Sequence, residues 1–331
     1  RHLKMEAHLQ SFAQHDPLAP SRTCFGMLND TKRNSKFAAV LGKTIAKKKQ
    51  SRGGVPVQVL DAGGGAGLMA MIAATSGATN VARCSATAEA AMVQRRVIEA
   101  NGLQDQITVT DPTVPPVVES PADVVVLNVT TPDLLQPSGN GLLCSGLLPA
   151  INRCRSHPGL VSPDVTVIPS KATVFAAAIE CFPQPRDLTT QVEMVSGFNL
   201  SAFGRFRSPF AEPVRLSQLK FRWLTNPVEV FEFDFADAHQ KERATKDLQL
   251  EVTASGTCHA VAFWYQLALD AETSVSGHPA DNGSAAQCLQ MLHTPVDVAV
   301  SQTVTVSAAH TATGISMLVT EPRPPPRDLA T

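Results

Sequence analysis

Aromatic residues are scarce: they make up 5% of this 331-residue chain, and tyrosine occurs once, as Tyr265. Neither sign of charge is in excess, since 28 lysines and arginines face 29 aspartates and glutamates. A general nucleic-acid or membrane-surface binder needs a marked basic surplus, so that class is excluded. No apolar run approaches the ~18 residues of a membrane span. The seven cysteines (24, 84, 144, 154, 181, 258 and 288) have no CxxC spacing. Dispersed and odd in number, they read as reduced thiols of an intracellular, cytoplasmic protein, and they offer neither a disulfide framework nor a metal site. The composition is otherwise that of an ordinary globular protein, 44% hydrophobic and 17% charged. At this length two domains of roughly 150 residues each are expected.

Residues 1–50 are expected to form a helical segment, broken near Pro17 and Pro20, with a helix from about Thr31 to Lys49. Its basic end, Lys47–Lys49 with Arg52, reads as a solvated helix terminus. Val55–Leu60 has strand length and runs straight into Asp61-Ala62-Gly63-Gly64-Gly65-Ala66-Gly67, after which Leu68–Ala74 reads as an apolar helix. Strand, glycine turn and helix in that order open a nucleotide-binding α/β unit. The alternation continues with strands at Val81–Cys84, Ile107–Thr110, Asp123–Leu127 and Val165–Ile168, and helices at Glu89–Ala100 and Leu142–Arg155. This rhythm implies a parallel, doubly wound sheet over residues 51–169.

After Pro169 the pattern becomes strand-rich. Ala172–Ile179, Val228–Phe235, Leu248–Val252, His259–Leu269, Val296–Ser307 and Thr313–Val319 read as strands, and Phe231–Phe235 alternates strictly. Residues 170–331 therefore form a β-sandwich or barrel, ending in a proline-rich tail. Between the strand groups lies an insertion carrying Phe203, Phe206, Phe210, Leu216, Leu219, Phe221 and Trp223. It either closes over its own core or offers an apolar face to another subunit.

Several stretches together resemble the protein arginine methyltransferases. Met27–Arg33 is similar to the segment that precedes the cofactor fold in that family. Val59–Gly67 resembles its first motif, and Asp123–Asn128 stands where its catalytic loop begins. Val195–Ser201 and Thr225-Asn226-Pro227 resemble the landmarks around its dimerisation arm. The likeness covers about residues 20–320. It implies a Rossmann-like methyltransferase domain, then a β-barrel domain carrying the arm at about 198–223.

Carried over residue by residue, the resemblance leaves a partial cofactor site. Arg33 matches the arginine that pairs with the methionine carboxylate of S-adenosylmethionine, and Asp61, Gly63, Gly65 and Gly67 keep the turn. Ser85 stands in place of the ribose-binding glutamate, and Val114-Pro115-Pro116 in place of the adenine-contacting one. A short neutral hydroxyl is a poorer acceptor than a carboxylate. Binding of the cofactor is therefore expected to be weak or absent, and no metal is expected.

Methylating arginine requires two carboxylates around the guanidinium, to neutralise and orient its planar fork. The first of the family's glutamate pair is Asn128 here, and Asp133 is the one acid of that loop; no glutamate occurs between Glu119 and Glu180. The family's Thr-His-Trp turn aligns with Ala286-Gln287-Cys288, and the tyrosines of its N-terminal helix are missing. His259 and Trp264 read as packing residues, Cys24 and Cys288 as small apolar fillers.

These departures resemble the family's catalytically inactive, kinetoplastid prozyme-type paralogues. The expectation is a non-enzymatic subunit that activates or stabilises a catalytic arginine methyltransferase in a heterodimer or heterotetramer. The substrates of the assembly would be arginine-glycine-rich proteins, with no direct nucleic-acid or membrane contact. The alternative is an active enzyme with a site rebuilt around Asp133.

Overall fold

The computed structural model describes residues 22–63, 65–85, 87–110, 118, 120–128, 135, 146–182, 194–200, 211–237 and 240–322. Two helices lead in, α1 (Arg22–Asn29) and α2 (Thr31–Ser51). Asp30 separates them and caps α2, its Oδ1 accepting from the Arg33 N–H at 3.0 Å. The helix buries Phe37, Val40, Leu41 and Ile45, an i, i+3/i+4 stripe.

The basic end of α2 is more than a solvated terminus. The Lys48 ammonium donates to the Asp164 carbonyl at 2.7 Å and pairs with its carboxylate at 2.9 Å. Arg52 pairs with Asp123, which is buried and also accepts from the Gln58 N–H at 2.9 Å. These cations tie the helix to the edge of the sheet beneath it.

That sheet holds β1 (Gln58–Asp61), β2 (Asn80–Cys84), β3 (Ile107–Thr110), β4 (Ala122–Val126) and β5 (Val161–Ile168), all parallel, in the order β3-β2-β1-β4-β5. Connecting helices are α3 (Leu68–Thr75), α4 (Ala88–Ala100) and α5 (Leu147–Ser156). Val124, Val125 and Val126 are wholly buried on both faces, which is why this strand reads as an unbroken apolar run. The strand order reverses between β1 and β4. Ligands of open α/β sheets bind at such a switch point, beyond the carboxyl ends of the strands.

The second half is antiparallel. The long strands β6 (Lys171–Cys181), β13 (Gly256–Ala268) and β15 (Gln287–Val298) lie side by side. They are joined by β9 (Glu212–Val214), β10 (Phe221–Trp223), β11 (Val228–Asp234) and β14 (Ser274–Ser276). A three-stranded sheet, β12 (Ala244–Glu251), β16 (Thr303–His310) and β17 (Ile315–Glu321), packs beside them. A small hairpin, β7 (Met194–Val195) and β8 (Phe198–Asn199), turns at Ser196 and Gly197, both at positive φ. The architecture is thus a Rossmann-like parallel sheet followed by an antiparallel β half, as the sequence implies.

Two elements differ from the sequence reading. Val296–Ser307, read as one strand, is the end of β15, a tight turn with Ser301 at φ 71°, and the start of β16. No glycine or proline marks that turn, so the alternating pattern runs through it unbroken. Ala286-Gln287-Cys288, read as a turn, leads into β15.

In the insertion, Phe203, Phe206 and Phe210 lie outside the described residues. Leu216 does not face outward: it is fully buried in a satellite core with Ile179, Ala260, Leu289 and Met291. Leu219, Phe221 and Trp223 are half-buried against the same cluster, and residues 221–223 form a strand on β6, not part of a helical arm. Trp223 stacks near His278, at 6.0 Å between ring centroids, and lies 5.6 Å from Trp264. Within the described part of this insertion, Leu216–Trp223 closes over its own core, whereas Phe198 and Leu200 stay exposed.

Candidate functional site

The switch point brings Asp61, Gly63, Gly65, Gly67, Arg33 and Asn128 together. β1 ends at Asp61, and the turn that follows is held from inside by this carboxylate. Asp61 Oδ1 accepts from the Gly63 N–H at 3.1 Å and Oδ2 from the Ala70 N–H at 3.1 Å, so one side chain fixes both the turn and the first turn of α3. Gly67 adopts φ 86° just before α3, and Gly65 adopts φ 96°. Gly63 is required for another reason. A Cβ there would stand 2.7 Å from both the backbone nitrogen and the Cβ of Asn128, the residue next but one after β4. The two strand ends therefore come into close contact here, where the Ala62 N–H also donates to the Val126 carbonyl at 3.0 Å.

Beneath the turn sits a residue not singled out by sequence, Arg83. It lies near the end of β2 and is 1% exposed, as is Asp61. Its Nη1 pairs with Asp61 at 2.8 Å and donates to the Gly63 carbonyl at 2.6 Å; its Nη2 donates to the Gly65 carbonyl at 3.0 Å. Gln94 of α4 adds a second donor to Gly65, at 2.7 Å. Burial pushes the Asp61 carboxyl above the ordinary carboxylate range, while Arg83 and the two N–H groups pull it back. The visible signal was an arginine inside an otherwise apolar buried strand. Charges in such places are paired.

Arg33 enters from α2. Its guanidinium donates to Asn128 Oδ1, to Asn34 Oδ1 at 3.5 Å, and lies over the Phe37 ring at 4.5 Å. It is 7% exposed and makes no salt bridge among the described residues. Burial pushes its pKa down, and Tyr265 and Asp30 offset part of that. Tyr265 is itself buried, its phenol pushed up to about 12. Ser85, where the resemblance calls for a glutamate, is buried and donates to the Thr87 carbonyl at 3.0 Å. Val114, Pro115, Pro116 and Asp133 lie outside the described residues.

In the β half Gln287 is fully engaged. Its Oε1 accepts from the Leu216 N–H at 3.0 Å, and its amide donates to the carbonyls of Gly277 and Ala285 at 2.8 and 3.1 Å. His259 and Trp264 are buried packing residues; His259 Nδ1 accepts from the Cys181 N–H at 3.3 Å. Cys288 is buried too, and burial pushes the Cys154 and Cys258 thiols up to about 12, out of nucleophilic range.

Sequence comparison gives this geometry its setting. Residues 170–314 match the arginine methyltransferase oligomerization subdomain, and residues 43–136 match the ribosomal protein L11 methyltransferase model. An arginine N(omega)-methyltransferase of Streptomyces achromogenes subsp. streptozoticus is 32% identical over 279 residues, 82% of this chain and 71% of that protein. This chain belongs to the arginine methyltransferase family.

Protein arginine N-methyltransferase 7 of Drosophila grimshawi is 30% identical over 260 residues, covering 74% of this family member but only 35% of the insect protein. The chain thus spans about a third of that relative's length. Among solved structures, the Trypanosoma brucei PRMT1 enzyme-prozyme heterotetrameric complex with AdoHcy shares the fold at a TM-score of 0.69. The match is 21% identical and covers 88% of this chain and 89% of the other.

The expectation that the chain has no cofactor is overturned by these findings. It belongs to a family of methyltransferases, which use S-adenosylmethionine, and the solved neighbour holds AdoHcy. The described residues fit the amino-acid end of such a molecule. The glycine turn is preformed, and Arg33 is a cation without a carboxylate partner among the described residues. Ser85 in place of a glutamate weakens the site without abolishing it, because a lost charged hydrogen bond is worth about 1.5–3 kcal/mol.

Proposed function

We propose that this arginine methyltransferase family member is a regulatory subunit. In this reading it binds S-adenosylmethionine, docks onto a catalytic arginine methyltransferase and raises that partner's activity, without methylating arginine itself. Arg33 and the Gly63–Gly67 turn would hold the cofactor, which when bound supplies an electrophilic methyl group. The observation that carries the reading is the pairing at the mouth of β4. Where the resemblance calls for a carboxylate, Asn128 offers a neutral amide, and that amide already accepts from the Arg33 cation. A substrate guanidinium placed there would meet a buried positive charge that no carboxylate pairs with among the described residues, which disfavours binding and orientation alike.

The division into a helical segment (1–50), a methyltransferase-type domain (51–169) and a β domain (170–331) belongs to the same proposal, as does an arm at 198–223. The match of residues 170–314 to an oligomerization subdomain and the heterotetrameric neighbour support a docking role. Phe206 and Phe210 are our candidates for the contact, with substrates of the assembly being arginine-glycine-rich proteins.

Family membership itself favours a second reading, an enzyme that transfers methyl groups with a site completed by Asp133. Co-expression with catalytic arginine methyltransferases separates the two. A regulatory subunit co-purifies at a defined larger mass and raises its partner's turnover on an arginine-glycine peptide. Phe206→Ala/Phe210→Ala is expected to lose both effects. A chain that never associates, or that leaves every partner's turnover unchanged, contradicts the proposal.

A further inference from the structure

A cavity of about 780 Å³ opens between the start of α2 and the loops on either side of the 279–281 turn of the β half. Its lining is rich in cations: Lys32, Arg33, Lys36 and Arg215 face it, against Asp30 and Asp281. Four positive charges oppose two negative ones, an excess of two in a chain whose net charge is −1.

The acids do little to offset this. Both Asp30 oxygens are spent on backbone N–H groups, Oδ1 on Arg33 at 3.0 Å and Oδ2 on Ser284 at 2.8 Å, so this carboxylate works as a clamp between helix and loop. Those hydrogen bonds outweigh its burial and hold its pKa below the ordinary value. None of the four cations makes a salt bridge among the described residues. Arg215 donates to the carbonyls of Gly283 and Ser284 at 3.5 and 3.1 Å, and Lys36 to the Ser274 carbonyl at 2.7 Å. Lys32 and Lys36 are exposed and stand four residues apart on one helix face, a like-charge spacing that weakens a helix. A concave wall with more cations than carboxylates focuses an anion-attracting field, and Lys32, Lys36 and Arg215 supply it even where Arg33 serves the cofactor.

The geometry points to this cleft as a docking site for an acidic peptide segment, carboxylate-rich and extended, supplied by a partner protein. The volume lies in the range of ligand clefts and far exceeds a single phosphate. Its lining among the described residues includes no aromatic ring on which a nucleobase would stack, which disfavours single-stranded nucleic acid. An arginine-rich segment would be repelled, so the cleft selects against the kind of peptide that the family modifies. The inference does not depend on whether the chain transfers methyl groups.

Fluorescence anisotropy on the full chain tests it, with a labelled glutamate-glycine peptide of about ten residues as the probe. Binding is expected to weaken steeply with salt, while the matching arginine-glycine peptide does not bind. Charge reversal at the two exposed lysines, K32E/K36E, should lower affinity at least tenfold, the factor expected from losing one charge-assisted contact. Their exposure keeps folding unaffected, which circular dichroism verifies. Four results would overturn the assignment: no binding of the acidic peptide, equal affinity in K32E/K36E, displacement by an equal concentration of inorganic phosphate, or tighter binding of an oligothymidylate.

Discussion

Replacing Arg83 by methionine probes the least expected feature of the site. Methionine approximates the length of the side chain and fills its volume, but it removes the charge and every donor. Asp61, 1% exposed, would keep its two backbone N–H partners and lose its counter-ion. The Gly63 carbonyl would lose the Arg83 donor, while Gly65 would keep Gln94. Removing one member of a buried ion pair costs about 3–5 kcal/mol, because the surviving charge is left in low dielectric. At about 2–4 °C per kcal/mol, the melting temperature should fall by about 6–20 °C. Far-UV circular dichroism or calorimetry would register it. Asp61→Asn added to Arg83→Met should recover part of the loss, since the amide oxygen still accepts from backbone and carries no charge. A loss under about 1 kcal/mol for Arg83→Met, or strict additivity in the double variant, would refute the buried-pair account.

Two further predictions concern packing and pH. Gly63→Ala forces a Cβ to within 2.7 Å of Asn128, so overpacking of about 1–3 kcal/mol should appear as a lower melting temperature; an unchanged melt would contradict the close approach. His310 lies edge-on to Phe231 and Phe233, at 4.8 and 5.1 Å, and burial holds its pKa below 6.5. Between that lowered value and about 6.5 the unfolded chain binds more protons than the folded one, so stability falls as pH drops through the window, by at most about 1.4 kcal/mol per pH unit. His310→Phe should flatten this acid slope in urea titrations, leaving the part due to His259, which burial also lowers. A slope identical to that of the parent chain would remove His310 from the explanation.

Much of the fold was legible because its signals are local. The strand–glycine turn–helix at 58–75 and the apolar run at 122–126 each carry their own pattern, and their observed bounds lie within a few residues of those read from sequence. The β half was less legible. Its sheets pair strands far apart in the chain, as β6 does with β13, and the turn at Ser301 has no glycine or proline to announce it. Leu216 shows the limit of composition: an apolar residue in an insertion looks the same whether it faces a partner or its own satellite core.

The site was half legible. The glycine turn is legible from residue type and spacing and Arg33 only through the family resemblance, whereas Arg83 gives no such sign because its partner, Asp61, is remote in sequence and its role appears only when β2 lies beside β1. The same distance hides the meeting of Gly63 with Asn128. The residues lost at the cofactor site are visible one by one in the sequence, whereas the preformed turn and an Arg33 with no salt bridge among the described residues emerge only from the fold.

Incubating the purified chain by itself with S-adenosylmethionine and an arginine-glycine-rich peptide, then quantifying methylarginine by mass spectrometry, bears most directly on the role assigned to Asn128. The account predicts no methylarginine above a no-protein blank, with turnover appearing only when a catalytic family member is added. Methylarginine formed by the chain alone would contradict it.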